Sequence, residues 1–270
     1  MPAQYTVPPA GAPCWFDLTT PDLEASSAFY AALLGWEFSG AGPMGMGSAA
    51  VHGGRRLAGL SPQPEGQDSP AFWTLYFRVD GFDEFMAGLE KARGRPLMAV
   101  PGFDTDASVA LAADSTGTAF GVLEYGDERG MGAFGTPGAL AWAELFTKDM
   151  RAVEFYRTVF GWETSPLSQT EEQSYLGFAL GSSSSNTADS ATADGALLGG
   201  ILDASALEVP AHWEAHFAVE DVDAAAAQVV ELGGDVLAAP HDSFHGRVGR
   251  FVDPHLAAFT LVSFAAPESE

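Results

Sequence analysis

WFDLTTPDLEASSAFYAALLGWEF, Trp15–Phe38, returns later in the chain as WAELFTKDMRAVEFYRTVFGWET, Trp142–Thr164. Trp15 and Asp17 match Trp142 and Glu144 at an offset of 127, and Phe29, Tyr30, Gly35 and Trp36 match Phe155, Tyr156, Gly161 and Trp162 at 126. A self-match of this length is a repeated structural unit, with the second helix one residue shorter. Its period changes in a fixed order. WFDL alternates as a half-buried strand does, and Leu23, Phe29, Tyr30, Leu33 and Leu34 then fall at helical spacing until Gly35 ends the helix.

The match continues outward. Phe77–Leu97 pairs with Phe217–Leu237 at an offset of 140, and Pro101, Asp114 and Phe120 pair with Pro240, Asp253 and Phe259 at 139. The jump from 126 to 140 calls for about 14 extra residues in the second copy, and the Ser/Ala/Asp-rich stretch Gly181–Gly195 supplies them as a surface loop. The Gly-rich stretch around residues 127–138 reads as a linker, which sets domains at 12–126 and 139–265. In the first copy the opening strand and helix are followed by short strands, by WTLYFRV as a strand, by FDEFMAGLEKARG as a helix closed at Gly94, and by two more strands. Each copy therefore reads βαβββ twice.

Composition excludes several function classes. The 270 residues carry 12 basic and 36 acidic groups, a net charge of −24 that repels phosphate backbones and anionic lipid surfaces. Residues 1–135 hold 7 basic and 16 acidic groups and residues 136–270 hold 5 and 20, so no basic docking surface hides in the average. The first residues lack a basic and then apolar leader pattern and no apolar run reaches membrane-spanning length, so a cytoplasmic protein is expected. The single cysteine, Cys14, has no disulfide or CxxC partner and reads as a packed small residue. No glycine-rich phosphate loop, GxSxG or Cys–His pair is present, which argues against nucleotide use and covalent hydrolysis.

The strand, the Asp-led helix ending in Phe-Tyr, the Leu-Gly-Trp at Leu34–Trp36 and the later FVDPHLAAFTLVSF at Phe251–Phe264 resemble the glyoxalase/bleomycin-resistance domains of the vicinal oxygen chelate superfamily, across nearly the whole chain. The resemblance implies an α+β fold of two tandem glyoxalase-like domains. In each, paired βαβββ modules form a cupped mixed sheet that holds a divalent metal or a small organic ligand. The family's metal-ligand positions fall on Trp15, Thr74 and Gly121 in the first cup and on Trp142, Glu214 and Thr260 in the second, with a fourth position in each cup not placed. Only Glu214 among these is a good ligand for a divalent ion. The resemblance thus carries no standard metal site, and no cofactor is expected.

HWEAH, His212–His216, puts His212, Glu214 and His216 on one face of a strand. His212 and His216 lie roughly 13 Å apart in extended chain and cannot share an ion. Glu214 with His216, helped by Glu144, is the metal constellation that remains, beside a metal-free polar pocket that moves a proton and a set of polar groups satisfied by the fold. Asp17 and Glu144 are equivalent. Aimed into an apolar cup, such carboxyls suit acid–base work; at the rim they would accept backbone hydrogen bonds. Trp15, Trp142, Tyr76 and Phe120, with Thr74 and Thr260, are candidates for the wall of a cup that takes a planar ligand, core packing being the alternative. Phe29–Tyr30 and Phe155–Tyr156 belong to the core by their helical spacing. His241–Phe251, with two His and two Arg, reads as a solvated loop or one that closes over an anionic or carbonyl-bearing ligand. His52 belongs to a hairpin turn.

The expectation is a cup that binds a small apolar or aromatic metabolite, sequestering it or rearranging it without metal, with Glu144, Glu214 and His216 as catalytic candidates. The alternatives are a metal-dependent lyase, isomerase or dioxygenase using Glu214 and His216 with one divalent ion in the C-terminal cup, and an interaction protein whose cups are filled by their own side chains. Because tandem fusion can supply pairing within one chain, a monomer is slightly favoured over a homodimer.

Overall fold

The structure, a computed structural model, describes residues 4, 6–42, 45, 47–104, 107–125, 130–169, 174–181, 196–243 and 246–264. All of the expected Gly181–Gly195 loop except Gly181 lies outside the described residues. The first copy comprises β1 (Pro13–Thr20), α1 (Leu23–Leu34), β2 (Glu37–Ser39), β3 (Ser48–His52), β4 (Arg55–Pro62), β5 (Phe72–Arg78), α2 (Phe82–Lys91), β6 (Arg95–Asp104), β7 (Ala107–Ala113) and β8 (Ala119–Tyr125). The second repeats the order as β9 (Leu140–Thr147), α3 (Ala152–Phe160), β10 (Trp162–Gln169), β11 (Ser174–Leu180), β12 (Gly199–Asp203), β13 (His212–Ala218), α4 (Val222–Glu231), β14 (Asp235–Ser243), β15 (Gly246–Val252) and β16 (Ala258–Phe264).

Each copy forms one eight-stranded sheet, in the orders β2-β3-β4-β1-β5-β8-β7-β6 and β10-β11-β12-β9-β13-β16-β15-β14. The first strands of its two modules meet antiparallel at the centre, with Asp17 opposite Thr74 and Glu144 opposite Glu214. Each first strand runs parallel to the last strand of its own module, as β1 does to β4 and β13 to β16. The strand period then divides every central strand between a cup face and a back face.

Local chemistry fixes the helix ends. The Asp22 side chain accepts from the Ala25 amide at 2.9 Å, Asp221 does the same for Ala224 at 3.0 Å, and Gly35 and Gly161 take positive φ at the C-termini of α1 and α3. Helix α3 has 9 residues against 12 in α1, two fewer than the one-residue deletion accounts for, because its first turn closes by tighter bonds from the Ala152 and Val153 amides to the Asp149 and Met150 carbonyls. Helix α2 stops at Lys91, before Gly94, and Arg93 carries the left-handed turn at φ 69°. Gly94 instead permits a close approach, since a Cβ there would lie 2.4 Å from Leu89 and 2.8 Å from Phe155.

The back faces and helices of the two copies pack on each other around one aromatic core. Phe16 meets Phe217 at 5.0 Å, Tyr30 meets Phe259 at 5.8 Å, Phe77 meets Trp162 at 5.2 Å and Phe120 meets Phe155 at 5.9 Å. Polar ties follow the same pseudo-twofold pattern. Trp73 donates to the Tyr30 hydroxyl and Tyr30 to Asp253; Trp213 donates to the Tyr156 hydroxyl, which meets Asp114. The indoles of Trp36 and Trp162 donate to the Gly138 and Gly11 carbonyls. The segment between the sheets joins this core, with Met131 and Phe134 fully buried. Among the described residues, no helix is long and apolar enough to cross a membrane.

Candidate functional site

The C-terminal cup is built on β9 and on β11 to β16. The period of β13 turns Trp213, Ala215 and Phe217 to the back and His212, Glu214 and His216 to the cup. A cavity of about 240 Å³ opens there, with Glu144, Tyr175, His216, Arg250 and Thr260 supplying polar groups and Phe146, Leu202 and Val248 apolar walls.

Two carboxyls lie directly opposite each other on neighbouring strands, a pairing that is unfavourable when both are charged. The surroundings split them. Burial pushes Glu144 up to about 7; the Tyr175 hydroxyl, 2.9 Å from Oε2, offsets part of this, and the charge of Glu214 adds to it. Glu214 is buried as well, yet hydrogen bonds from His212 and Arg250 outweigh the desolvation and hold it down at about 2. Arg250 Nε lies 2.7 and 3.0 Å from the two Glu214 oxygens, and Thr260 Oγ1 donates to Oε1 at 2.6 Å. His216 Nε2 lies 3.5 Å from Glu144 Oε2, and the Trp142 indole donates to Tyr175 at 3.1 Å.

Glu144, His216 and Thr260 therefore line the cavity, whereas Glu214 and Trp142 stand behind it. Glu214 is 1% exposed and holds Arg250, so the expectation that it faces a ligand gives way to a supporting role. Trp142 braces Tyr175 and is no wall. Phe120 is a second correction. It packs on Phe77, Phe155 and Tyr156 in the back-face core, because its neighbour Gly121 takes the cup position by strand alternation.

In the N-terminal cup Trp15, Asp17 and Tyr76 are 0%, 3% and 4% exposed, and Thr74 faces Asp17 across the strands. A Cβ on Gly59 would meet the Asp17 carboxylate at 2.1 Å, and one on Gly121 would meet the Tyr76 ring at 2.1 Å, so these side chains pack closely on the strands that face them. Burial raises Asp17 to about 6 against the Ser61 hydroxyl and the Trp15 indole. Cys14 is fully buried and burial pushes its thiol far up, so it is no nucleophile. His52 ends β3 beside a Gly53–Gly54 turn, as expected of a hairpin.

Sequence reasoning missed Tyr175, and placed His241, Arg247 and Arg250 together in a loop. The expected His241–Phe251 loop is the β14–β15 hairpin: His241 lines the cavity, Arg250 reaches the cup floor, and Arg247 pairs with Asp223 and Asp242 at the surface. Close packing makes the Tyr175 placement testable. A Cβ on Gly200 would lie 2.4 Å from the Tyr175 ring. Gly200→Ala should displace that ring, release its hydrogen bond to Glu144 and cost about 1–3 kcal/mol by overpacking; a variant as stable as the parent in urea unfolding would count against this packing.

A divalent ion suits this cup poorly. It needs three or four converging donors, while both oxygens of Glu214 are engaged by a guanidinium whose charge would repel the ion. Among the described residues, no three His, Cys, Asp or Glu groups converge as a metal site.

A tandem pair of sheets, each rolled from two βαβββ modules around a cup, defines a protein of the glyoxalase-like kind. The chain belongs to the glyoxalase/bleomycin resistance protein/dioxygenase superfamily: residues 14–120 match that superfamily's pattern and residues 146–262 match the glyoxalase-like domain. It is 32% identical to the anthracycline biosynthesis protein DnrV of Streptomyces peucetius, covering 93% of both chains. It is 33% identical to CFP32 of Mycobacterium tuberculosis, provisionally named a glyoxylase, covering 93% of this chain and 94% of that one. In fold it is similar to the Mn(II)-bound glyoxalase from Novosphingobium aromaticivorans, with TM-score 0.59, 18% identity and coverage of 97% and 83%. It is also similar to the catechol dioxygenase BphC, with TM-score 0.60, 13% identity and coverage of 96% and 89%.

Proposed function

We propose that the C-terminal cup binds a small, largely apolar aromatic metabolite without a divalent metal and moves a proton on it through Glu144 and His216. The observation that carries this reading is the split carboxyl pair. Two titratable groups whose surroundings drive them to about 7 and about 2 have separate tasks. Glu144 lines the cavity and is divided between its acid and base forms near neutral pH, as general acid–base chemistry requires. Glu214 stays ionised behind it and fixes Arg250 and Thr260.

The chemistry needs no redox partner. The Glu144 carboxylate takes a proton from a carbon or oxygen acid of the ligand, the released electron pair delocalises onto the ligand's conjugated oxygen, and the proton returns at another atom. His216, beside Glu144, can relay it. The net change is a rearrangement. At about 240 Å³ the cavity falls below the range of roughly 300–1,000 Å³ usual for drug-sized ligands. One or two rings fit, and a larger fused system would enter by one edge; the relative DnrV is named for anthracycline biosynthesis.

The test is proton–deuterium exchange at the acidic carbons of 2-tetralone, followed by NMR in chelator-treated buffer. Exchange should accelerate as the pH rises through about 7, because the base is the carboxylate, and Glu144→Gln should lose about 100-fold or more of it. Binding without exchange would reduce the site to a sequestering cup. About one equivalent of Fe, Mn, Ni or Zn in the purified protein, lost on Glu214→Ala, would replace this reading with a metalloenzyme.

A further inference from the structure

Arg250 is held in a way that salt-bridge formation alone does not require. It sits opposite Thr260 on the next strand, and Nη2 lies 2.6 Å from Glu214 Oε2 and 3.3 Å from His212 Nε2. The guanidinium lies over Phe146 at 5.1 Å, and Phe146 itself stacks on His212 at 4.8 Å with 12° between the rings. Two of its nitrogens and one of its faces are thereby fixed. Among the described residues Nη1 has no partner, although the side chain is only 21% exposed and lines the cavity. A guanidinium fixed by its neighbours and left with one unused donor edge is arranged to receive something.

We propose that Arg250 is an oxyanion anchor, whose Nη1 takes the ionised or polarised oxygen of a phenol or enolisable ketone and so supplies in this cup the positive charge a divalent ion would otherwise give. The inference rests on the C-terminal cup being the ligand site. Three features select this ligand class. One available amine edge suits a single oxygen better than the bidentate grip that carboxylates and phosphates favour. The Arg250–Glu214 pair has no net charge and Glu144 lies nearby, which disfavours a preformed dianion while tolerating one delocalised negative charge. Leu202 and Val248 offer the apolar walls that a ring needs.

The experiment uses 4-nitrophenol, whose ionised form has its own absorption band, beside 4-nitroanisole, which has the same ring and cannot ionise. Both are titrated into the chelator-treated full chain. The wild type should bind phenolate about tenfold more tightly than phenol, seen as a fall of about one unit in the ionisation midpoint of the bound probe. Arg250→Met should abolish that fall, while 4-nitroanisole still binds. Because Arg250→Met strands a buried carboxylate, Arg250→Met with Glu214→Gln is measured as well, and it should behave as the single variant does. Survival of the shifted midpoint in the double variant, or its absence from a wild type that binds 4-nitroanisole, overturns the Arg250 assignment alone. Failure of the wild type to bind either probe overturns the cup reading and this proposal with it.

Discussion

Arg250→Met will destabilise the protein by about 3–5 kcal/mol at neutral pH, the usual cost of leaving one member of a buried ion pair alone. Glu214 is 1% exposed and keeps its charge because Arg250, His212 and Thr260 surround it. Held at about 2 against an ordinary value of 4.5, it contributes about 3 kcal/mol to folding above pH 4.5, and this is lost as the pH falls through about 2. The deficit of the variant should therefore shrink across that window, where the wild type loses its own advantage. Glu144 and Asp17 act with the opposite sign. Raised to about 7 and about 6, they favour the fold in acid and withdraw that support as the pH rises through those values. Urea unfolding of both proteins between pH 2 and 8 measures the difference directly. Adding Glu214→Leu should restore most of the stability, since an apolar replacement of a whole buried pair is often neutral or better. An Arg250→Met protein of wild-type stability at pH 7, or a double variant as unstable as the single one, would show that Glu214 is not held by this pair.

The fold was legible because the repeat is carried by residues that packing cannot spare. Tyr30/Tyr156 and Trp36/Trp162 sit in the shared core, Trp15/Trp142 are buried on the cup side, and Gly35/Gly161 make the left-handed caps, so their spacing survives in both copies. The cups are where the copies diverge, and there the self-match is a weaker guide. Thr74, Tyr76 and Gly121 stand at the positions of Glu214, His216 and Thr260. Arg250 could have been separated from the rest of its candidate segment, His241–Phe251. The offset of 139 aligns it with Leu111, and an arginine replacing a leucine in the half that has only 5 basic residues is a signal of a built-in partner. Tyr175 could not, because it precedes the insertion on a strand whose register no flanking motif fixes. Phe120 was misplaced for a different reason. Strand alternation already decided its face: with Gly121 in the cup, Phe120 must turn to the back, where Phe155 and Tyr156 of the other copy pack against it.

That shared back face makes the second large prediction one about both domains at once. Trp162 belongs to the second copy, yet its indole donates to the Gly11 carbonyl at 2.8 Å and its ring meets Phe77 at 5.2 Å, both in the first. Within its own copy it stacks on Phe178 at 4.1 Å and on Tyr156 and Phe160 at 5.2 Å. Trp162→Ala removes a large side chain that is 2% exposed, at a cost of about 3–5 kcal/mol, and leaves the Gly11 carbonyl without its donor. At roughly 2–4 °C per kcal/mol for a chain of this size, the melting temperature should fall by about 10 °C. If the aromatic core makes one cooperative unit of the two sheets, calorimetry will show a single transition moving as a whole, and amide exchange will speed up in β1 and β5 as well as in β10 and β13. Two transitions, with only the C-terminal one displaced, would mean that the copies fold independently and that the contacts between them contribute little. The same core explains why the two cups can differ so widely: each sheet is supported from behind by the other copy, so the residues facing the cup are free to change without loss of the fold.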